Sequence, residues 1–251
     1  MPSRADAAPS HLWVPELAAA GAELELSSEE SHYLTRVCRA RAGDRASATD
    51  GRGALAELRV ERVGERVRAT IEHLESRVRT REAWVCAGAP EGRRDDWLIE
   101  KLAELGASVF QPVDAERGAW RMSRGTLERW RRLAVAALRQ SRRRFLLEVR
   151  EPVTIAGLGA HLPAGGSRWL AEPTGASGVA PPRGPGVAVA AVGPSSGFTA
   201  AERGALAGLD FAPISLSDGR LRTETAAVAW AGWWAQGGET SAPVAGAGRA
   251  S

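Results

Sequence analysis

The sequence predicts an α/β protein with a small β-rich domain in front of it. Three observations carry this. Segments up to residue 76 alternate in polarity with period two between turn signals, as half-buried strands do. From Ala83 onward, apolar strand-like runs alternate with segments of helical period. A chain of 251 residues, 44% hydrophobic and 25% charged, is long enough for one large domain or two small ones and can bury a proper core.

In the front domain, residues 1–10 are small and polar and are expected to be disordered. Residues 22–26 alternate strictly and read as a strand, as do 54–60 and 66–74. Ala42-Gly43-Asp44-Arg45 and Asp50-Gly51-Arg52-Gly53 are turn signals. One short helix, 28–38, interrupts the strands. A charged stretch over 77–82 reads as a linker.

Beyond it, 83–89 reads as a buried strand. Asp95 or Asp96 can cap a helix carrying Leu98, Leu102 and Leu105, which Gly106 ends. The strand 107–113 completes a βαβ unit, which implies a parallel sheet with a right-handed crossover. The alternation continues with helix 126–141, strands 167–171 and 186–192, helix 199–208, strand 211–216 and helix 223–236. Residues 172–186, rich in Pro and Gly, read as a long loop. The Gly, Ala, Ser and Pro of the last residues read as a disordered tail.

Composition excludes several functions. Lys101 is the sole lysine among 33 basic residues and lies outside any Walker A pattern. Cys38 and Cys86 are far apart, and the four histidines lack zinc-ligand spacing, so no metal is expected. No apolar run approaches the ~20 residues of a membrane helix. No signal-peptide pattern opens the chain. With two lone thiols, this predicts a cytoplasmic protein without a membrane.

Residues 121–150 hold ten arginines against Glu128 and Glu148 only. The helix there keeps an apolar face of its own, with Leu127, Trp130, Ala134 and Leu138. Many cations on one element are the footprint of a phosphate-backbone partner. A solvated face accounts equally well for a generic charge run; the lack of compensating acids favours nucleic acid. His32, Tyr33, Arg36, Arg39 and Arg41 add groups suited to stacking on unpaired bases.

Gly193-Pro194-Ser195-Ser196-Gly197 follows a strand and precedes a helix, the setting of a serine-hydrolase elbow. That mechanism needs a histidine after the serine, and the last one is His161. Without the hydrolase reading, the segment is a Gly-rich loop at the C-terminal end of a parallel strand, where open α/β sheets bind ligands. A plain tight turn accounts for it as well. The next strand runs into Arg220-Leu221-Arg222-Thr223-Glu224-Thr225, with Thr223 a candidate N-cap. The two loops form one polar crevice.

The run S-L-S-D-G-R-L-R-T-E-T-A-A-V, Ser215 to Val228, resembles the C-terminal signature of the RsmE family, 16S rRNA uridine-N3 methyltransferases of the SPOUT class. Other motifs agree in order along almost the whole chain. They include His32, Arg36, Arg39, Asp50, Gly51 and Gly53 in front, then Lys101, Glu104, Leu105 and Gly106. Pro112, Glu116 and Arg117, then Trp130, Ala134, Gln140 and Ser141, then Gly193, Pro194, Gly197 and Phe198 follow. Ser195-Ser196 stand where the family has Glu-Gly, Leu147 where many relatives have proline, and Arg142 where glycine is common.

The resemblance implies a PUA-like β-barrel RNA-binding domain (1–76), a SPOUT α/β methyltransferase domain with a C-terminal trefoil knot (77–238) and a disordered tail (239–251). It implies a homodimer that binds S-adenosylmethionine and modifies 16S rRNA of the small ribosomal subunit. The cofactor would lie among three loops: Leu170 and Glu172; Val192, Gly193, Pro194, Ser196 and Gly197; and Leu216, Leu221, Arg222, Thr223 and Thr225. Arg222 is the candidate catalytic group that stabilises an anionic uracil, since a guanidinium keeps its charge. Glu224 is the candidate base or orienter, or only a first-turn acid that favours the helix dipole. Arg36, Arg39, Lys101, Arg117, Arg139, Gln140, Arg142 and Arg143 are the candidate RNA contacts. A SPOUT enzyme on another RNA, or a non-catalytic RNA-binding homologue, are the rival readings.

Overall fold

Alternate residues of the first long strands are apolar, and together they close one face of a sheet. The computed structural model describes residues 10–238 and 241–243. They divide into two units. The first comprises the chain up to Val78, the segment Leu138–Phe145, and Ala242 and Pro243. Its strands are β1 (Ser10–Trp13), β2 (Glu23–Glu25), β3 (Arg45–Thr49), β4 (Ala54–Arg62) and β5 (Arg68–Arg79). β3, β4 and β5 form an antiparallel meander; β1 lies parallel to β3, and β2 pairs with β5. Ala46 and Ala48, Ala56, Leu58 and Val60, and Ala69 and Ile71 are the buried alternates. The predicted helix 28–38 is α1 (Ser28–His32), continued by a π-helical turn over Tyr33–Val37. Ser27 caps it by accepting from the Glu30 amide at 3.2 Å.

The turn at Asp50 works as its sequence implies. Asp50 Oδ1 accepts from the amides of Arg52, Gly53 and Ala54 at 2.7, 3.0 and 3.0 Å. Gly53 sits at φ +127°, and a β-carbon there would lie 2.1 Å from the Arg77 carbonyl oxygen. Only glycine fits.

The segment 138–145, read from sequence as part of a basic helix, is stitched into this first unit. Thr49 Oγ1 donates to the Arg144 carbonyl at 2.8 Å, and Arg144 Nη1 donates to the Gly53 carbonyl at 3.0 Å. Arg139 pairs with Glu30, and both side chains are nearly buried, at 9% and 4% exposure. Burial pushes the Glu30 carboxyl above its usual range, against the pull of Arg139.

The second unit spans Arg79–Ala137 and Leu146–Ser241. In it, β6 (Arg81–Ala87), α2 (Asp95–Leu105), β7 (Val109–Asp114), α3 (Arg124–Ser141), β8 (Glu148–Val149) and β9 (Val153–Thr154) come first; the last turn of α3 belongs to the other unit. Then follow β10 (Ser167–Ala176), β11 (Gly186–Val192), α4 (Ala200–Gly208), β12 (Ala212–Ile214) and α5 (Thr223–Ala235). The sheet is parallel, in order β12-β10-β11-β6-β7-β8, with β9 also on β7. Gly106 ends α2 at φ +79°. One face of the sheet packs Val85, Phe110 and Ala190 against Leu102, Trp130 and Trp230 of α2, α3 and α5. The other packs Cys86, Val109 and Val189 against Leu158, Leu206 and Phe211.

Three expectations change. Residues 77–82 do join the two units, which divide between Val78 and Arg79, but as strand rather than as a separate linker, since β5 runs to Arg79 and β6 starts at Arg81. Arg81 is 2% exposed; its guanidinium donates to the carbonyls of Pro182, Gly184 and Trp234 and lies over the Trp234 ring. Part of the predicted loop 172–186 is strand, because β10 continues to Ala176. Of the expected tail, Ser241–Pro243 form a strand at the sheet edge beside β5; residues 239–240 and 244–251, like 1–9, lie outside the described residues.

Candidate active site

Parallel strands deliver the loops that follow them to one end of the sheet, and here three such loops meet. β12 follows β11 in the chain but pairs with β10 on its far side. The register of β10 against β12 skips from Ala171 to Ala176, both opposite Ile214. The intervening Glu172-Pro173-Thr174-Gly175 therefore leaves the ladder as a bulge. Glu172 and Pro173, residues 193–197 after β11, and Ser215, Leu216, Ser217 and Leu221 after β12 line a cavity of about 350 Å3. That size suits a small-molecule cofactor.

The loops hold one another by hydrogen bonds. Thr223 Oγ1, at the first position of α5, donates to the Gly193 carbonyl at 2.8 Å. Arg220 Nη2 donates to the Ser195 carbonyl at 2.8 Å, and Ser196 Oγ donates to the Arg117 carbonyl at 3.0 Å. Ser195 and Ser196 thus tie the β11 loop to the segments that follow β12 and β7, through the backbone at Ser195 and the hydroxyl at Ser196. Pro194 packs so closely on Gly88 that a β-carbon there would lie 2.6 Å from its nitrogen. At α4 a capping box joins Thr199 and Glu202, and Glu202 Oε1 also accepts from the Glu116 amide at 2.7 Å. Those amides hold the Glu202 carboxyl below its usual range although burial opposes them.

The wall is apolar at Val192, Leu216, Leu221 and Ala226 and cationic at Arg117, Arg203 and Arg220; Glu172 is its one acid among the described residues. Arg203 Nε lies 3.9 Å from Glu172 Oε1, and its Nη1 donates to the Phe198 carbonyl at 2.7 Å. Arg203 and Arg220 were not among the residues expected from sequence. Arg220 stands inside the C-terminal run, so the signal was present. Arg203 sits one turn after the capping Thr199, and only the fold brings it to the wall.

Of the expected cofactor residues, Glu172, Val192, Gly193, Pro194, Ser196, Gly197, Leu216, Leu221 and Thr223 line the cavity. Leu170 does not; it is buried in the core with Phe198 and Leu206. Thr225 is exposed, since it lies about 200° round α5 from the wall residue Thr223. Arg222 is the exposed N-cap residue of α5, flanked by two wall residues without itself being one. Glu224 is outside the wall and buried, with Oε1 accepting from Arg94 Nη1 at 2.7 Å.

The expected RNA contacts separate by environment. Arg36, Arg39, Gln140 and Arg142 are exposed on the first unit, and Arg117 on the second. Arg143 is half-buried. Arg139 is engaged within the first unit: its guanidinium binds Glu29 and Glu30 and lies 5.0 Å from the centre of the Tyr33 ring. Lys101 bridges Glu100 and Glu104 at 2.8 and 2.7 Å, which holds its ammonium above the usual lysine range. No group of residues able to hold a metal ion occurs among the described residues, and no described helix is long and apolar enough to cross a membrane.

An open parallel sheet with a cofactor-sized cavity at its strand ends is the architecture of α/β proteins that bind a small ligand there. Residues 78–235 match the family model described as RNA methyltransferase domain, and residues 26–72 that of the RNA methyltransferase PUA domain. The chain belongs to this RNA methyltransferase family. It is 29% identical over 217 residues to "Ribosomal RNA small subunit methyltransferase E" of Synechocystis, covering 82% of this chain and 70% of the relative. The Bacillus subtilis protein of the same name is 30% identical over 125 residues, 47% of this chain and 49% of that one. In fold, the chain is similar to the S-adenosyl methionine-bound ribosomal RNA small subunit methyltransferase E of Neisseria gonorrhoeae, with TM-score 0.81 and 24% identity over 89% of this chain and 95% of that one. It is also similar to a probable rRNA-methyltransferase from Porphyromonas gingivalis, with TM-score 0.74 and 26% identity over 89% and 96%.

Proposed function

We propose that this protein transfers a methyl group from S-adenosylmethionine to N3 of a uridine in the 16S rRNA of the small ribosomal subunit. The observation that carries the reading is the convergence of the three loops on one cavity with an apolar wall and a cationic rim. The Synechocystis and Neisseria proteins, by name and by bound ligand, support the same substrate and cofactor.

The residues present fit the cofactor. Val192, Leu216, Leu221 and Ala226 offer apolar surface for an adenine ring and the methylene groups beside the sulfur, and the loop backbone at 193–197 offers polar edges. When bound, S-adenosylmethionine supplies a methyl group on a positively charged sulfur. The chain orients N3 in line with it, which removes the entropic part of the barrier. N3 gives up its proton to water as its electron pair takes the methyl group. Arg222 stabilises the negative charge on the uracil carbonyls. Glu224, enclosed with Arg94 and outside the wall, is not the base in this reading. The path of β12 past β10 is read as the trefoil knot of the SPOUT class. A homodimer and a cytoplasmic location, where ribosomal subunits are assembled, belong to the same reading.

Titration calorimetry of wild type and Arg222→Ala with S-adenosylmethionine, beside a methyl-transfer assay on small-subunit rRNA, tests it. Both proteins should bind the cofactor, and the variant should transfer about 100-fold more slowly or worse. No cofactor binding by the wild type, or full transfer by the variant, overturns the assignment.

A further inference from the structure

Three consecutive residues at the start of α5 face three ways. Arg222 is exposed, Thr223 ties to the β11 loop, and Glu224 runs into the protein toward α2. The Glu224 side chain is 2% exposed. Its Oε1 accepts from Arg94, the residue that precedes α2, and its Oε2 is buried without a hydrogen-bond partner among the described residues. Arg94 Nη1 is the only cation that any described ion pair brings to this carboxylate. Arg94 caps α2 with no side-chain hydrogen bond to that helix, so its guanidinium is not spent on local capping.

A buried carboxylate held by one guanidinium is strongly sensitive to the loss of that partner. It sits one residue from the cavity wall and two from the exposed Arg222. The Arg222 carbonyl accepts from the Ala226 amide at 2.8 Å, which closes the first turn of α5 and couples the residues within it. What Arg94 fixes at Glu224 it therefore fixes at Thr223 and Arg222 as well.

We propose that Arg94 is a positioning residue for methyl transfer, acting through Glu224 to set the first turn of α5 and with it Arg222 and Thr223. The proposal rests on the reading of the cavity as the methyl-transfer site. Neither Arg94 nor Glu224 touches the reacting atoms. Their contribution is the placement of groups that do, and a small displacement there costs rate steeply.

The test compares Arg94→Ala, Glu224→Ala, Glu224→Gln and the double variant Arg94→Ala/Glu224→Gln by kcat, KM for rRNA and the pH profile of kcat. Arg94→Ala and Glu224→Ala should each lose about 10- to 100-fold in kcat with KM for rRNA unchanged. Glu224→Gln keeps an oxygen for Arg94 and should recover most of what Glu224→Ala loses, with the wild-type pH profile. The double variant leaves no lone buried charge. It should fold even where Arg94→Ala does not, and should be as slow as Arg94→Ala. A Glu224→Gln as slow as Glu224→Ala, or with the acid limb of its pH profile removed, shows the carboxylate acting chemically and overturns the proposal. So does wild-type kcat in Arg94→Ala or the double variant. A wild type that transfers no methyl group at all overturns the functional reading, and the role of the pair with it; the other outcomes overturn the pair alone.

Discussion

His11 is 4% exposed, with both ring nitrogens engaged. Its Nδ1 lies 2.8 Å from Ser47 Oγ and its Nε2 3.1 Å from the Arg143 carbonyl. The neutral ring satisfies both, with Nε2–H donating to the carbonyl and Nδ1 accepting from the hydroxyl. Burial pushes its pKa below 6.5; the Arg143 carbonyl opposes this, and the charges of Arg142 and Arg144 add to it. Below pH 6.5 the unfolded chain binds a proton that folded His11 refuses. Stability from this residue is therefore complete above that pH and declines as pH falls below it. Thermal melts of wild type and His11→Gln from about pH 8 to 5 should show a steeper acid-side fall in the wild type. Parallel curves contradict the assignment. The histidine was visible in the sequence, but its partner was not, because Arg143 lies 132 positions away. The same limit governs the arginines. Sequence shows that residues 121–150 are basic, but not that Arg129 is held by Asp95 and Asp96, Arg139 by Glu30 or Arg144 by Glu75. Each of those acids comes from a distant segment that only tertiary folding brings near.

Helix α3 shows how an element can be legible while its allegiance is not. Its period and length stand in the sequence, where the predicted start at 126 falls two residues inside Arg124–Ser141. Its last turn and the chain to Phe145 nevertheless belong to the N-terminal unit. Arg139→Ala should leave Glu30 buried and unpaired and lower the unfolding free energy by about 3 kcal/mol. Denaturant unfolding measures this. A loss under about 0.5 kcal/mol would mean the pair is exchangeable with solvent. Strands were legible where they alternate in polarity, as β4 does, or form a continuous apolar run, as β11 does. β8 and β9 have two residues each, too few for any pattern. The extension of β10 through Glu172-Pro173 was missed because a bulge there interrupts the ladder, and proline ordinarily demotes a strand. That bulge is what carries Glu172 to the cavity. The part of the site in contiguous runs, residues 193–197 and 215–223, was legible. Arg203, which depends on where α4 lands, was not.

At the scale of the molecule, ion pairing within the chain thins the basic segment without removing it. Arg121, Arg131 and Arg132 remain exposed, with no ion pair among the described residues. If they meet phosphates, replacing Arg131 and Arg132 together by Ala should lower the slope of log affinity against log salt by about 1.4–1.8. Affinity should fall alike for all RNA sequences. An unchanged slope makes them a solvated face. The act proposed for this cavity is methylation of a base in small-subunit rRNA. Mass mapping of 16S rRNA after incubation of unmodified small subunits with the protein and S-adenosylmethionine tests it most directly. One added methyl group is expected, at N3 of a single uridine, and is lost with Arg222→Ala. A methyl group on a ribose or another base, or none at all, would contradict it.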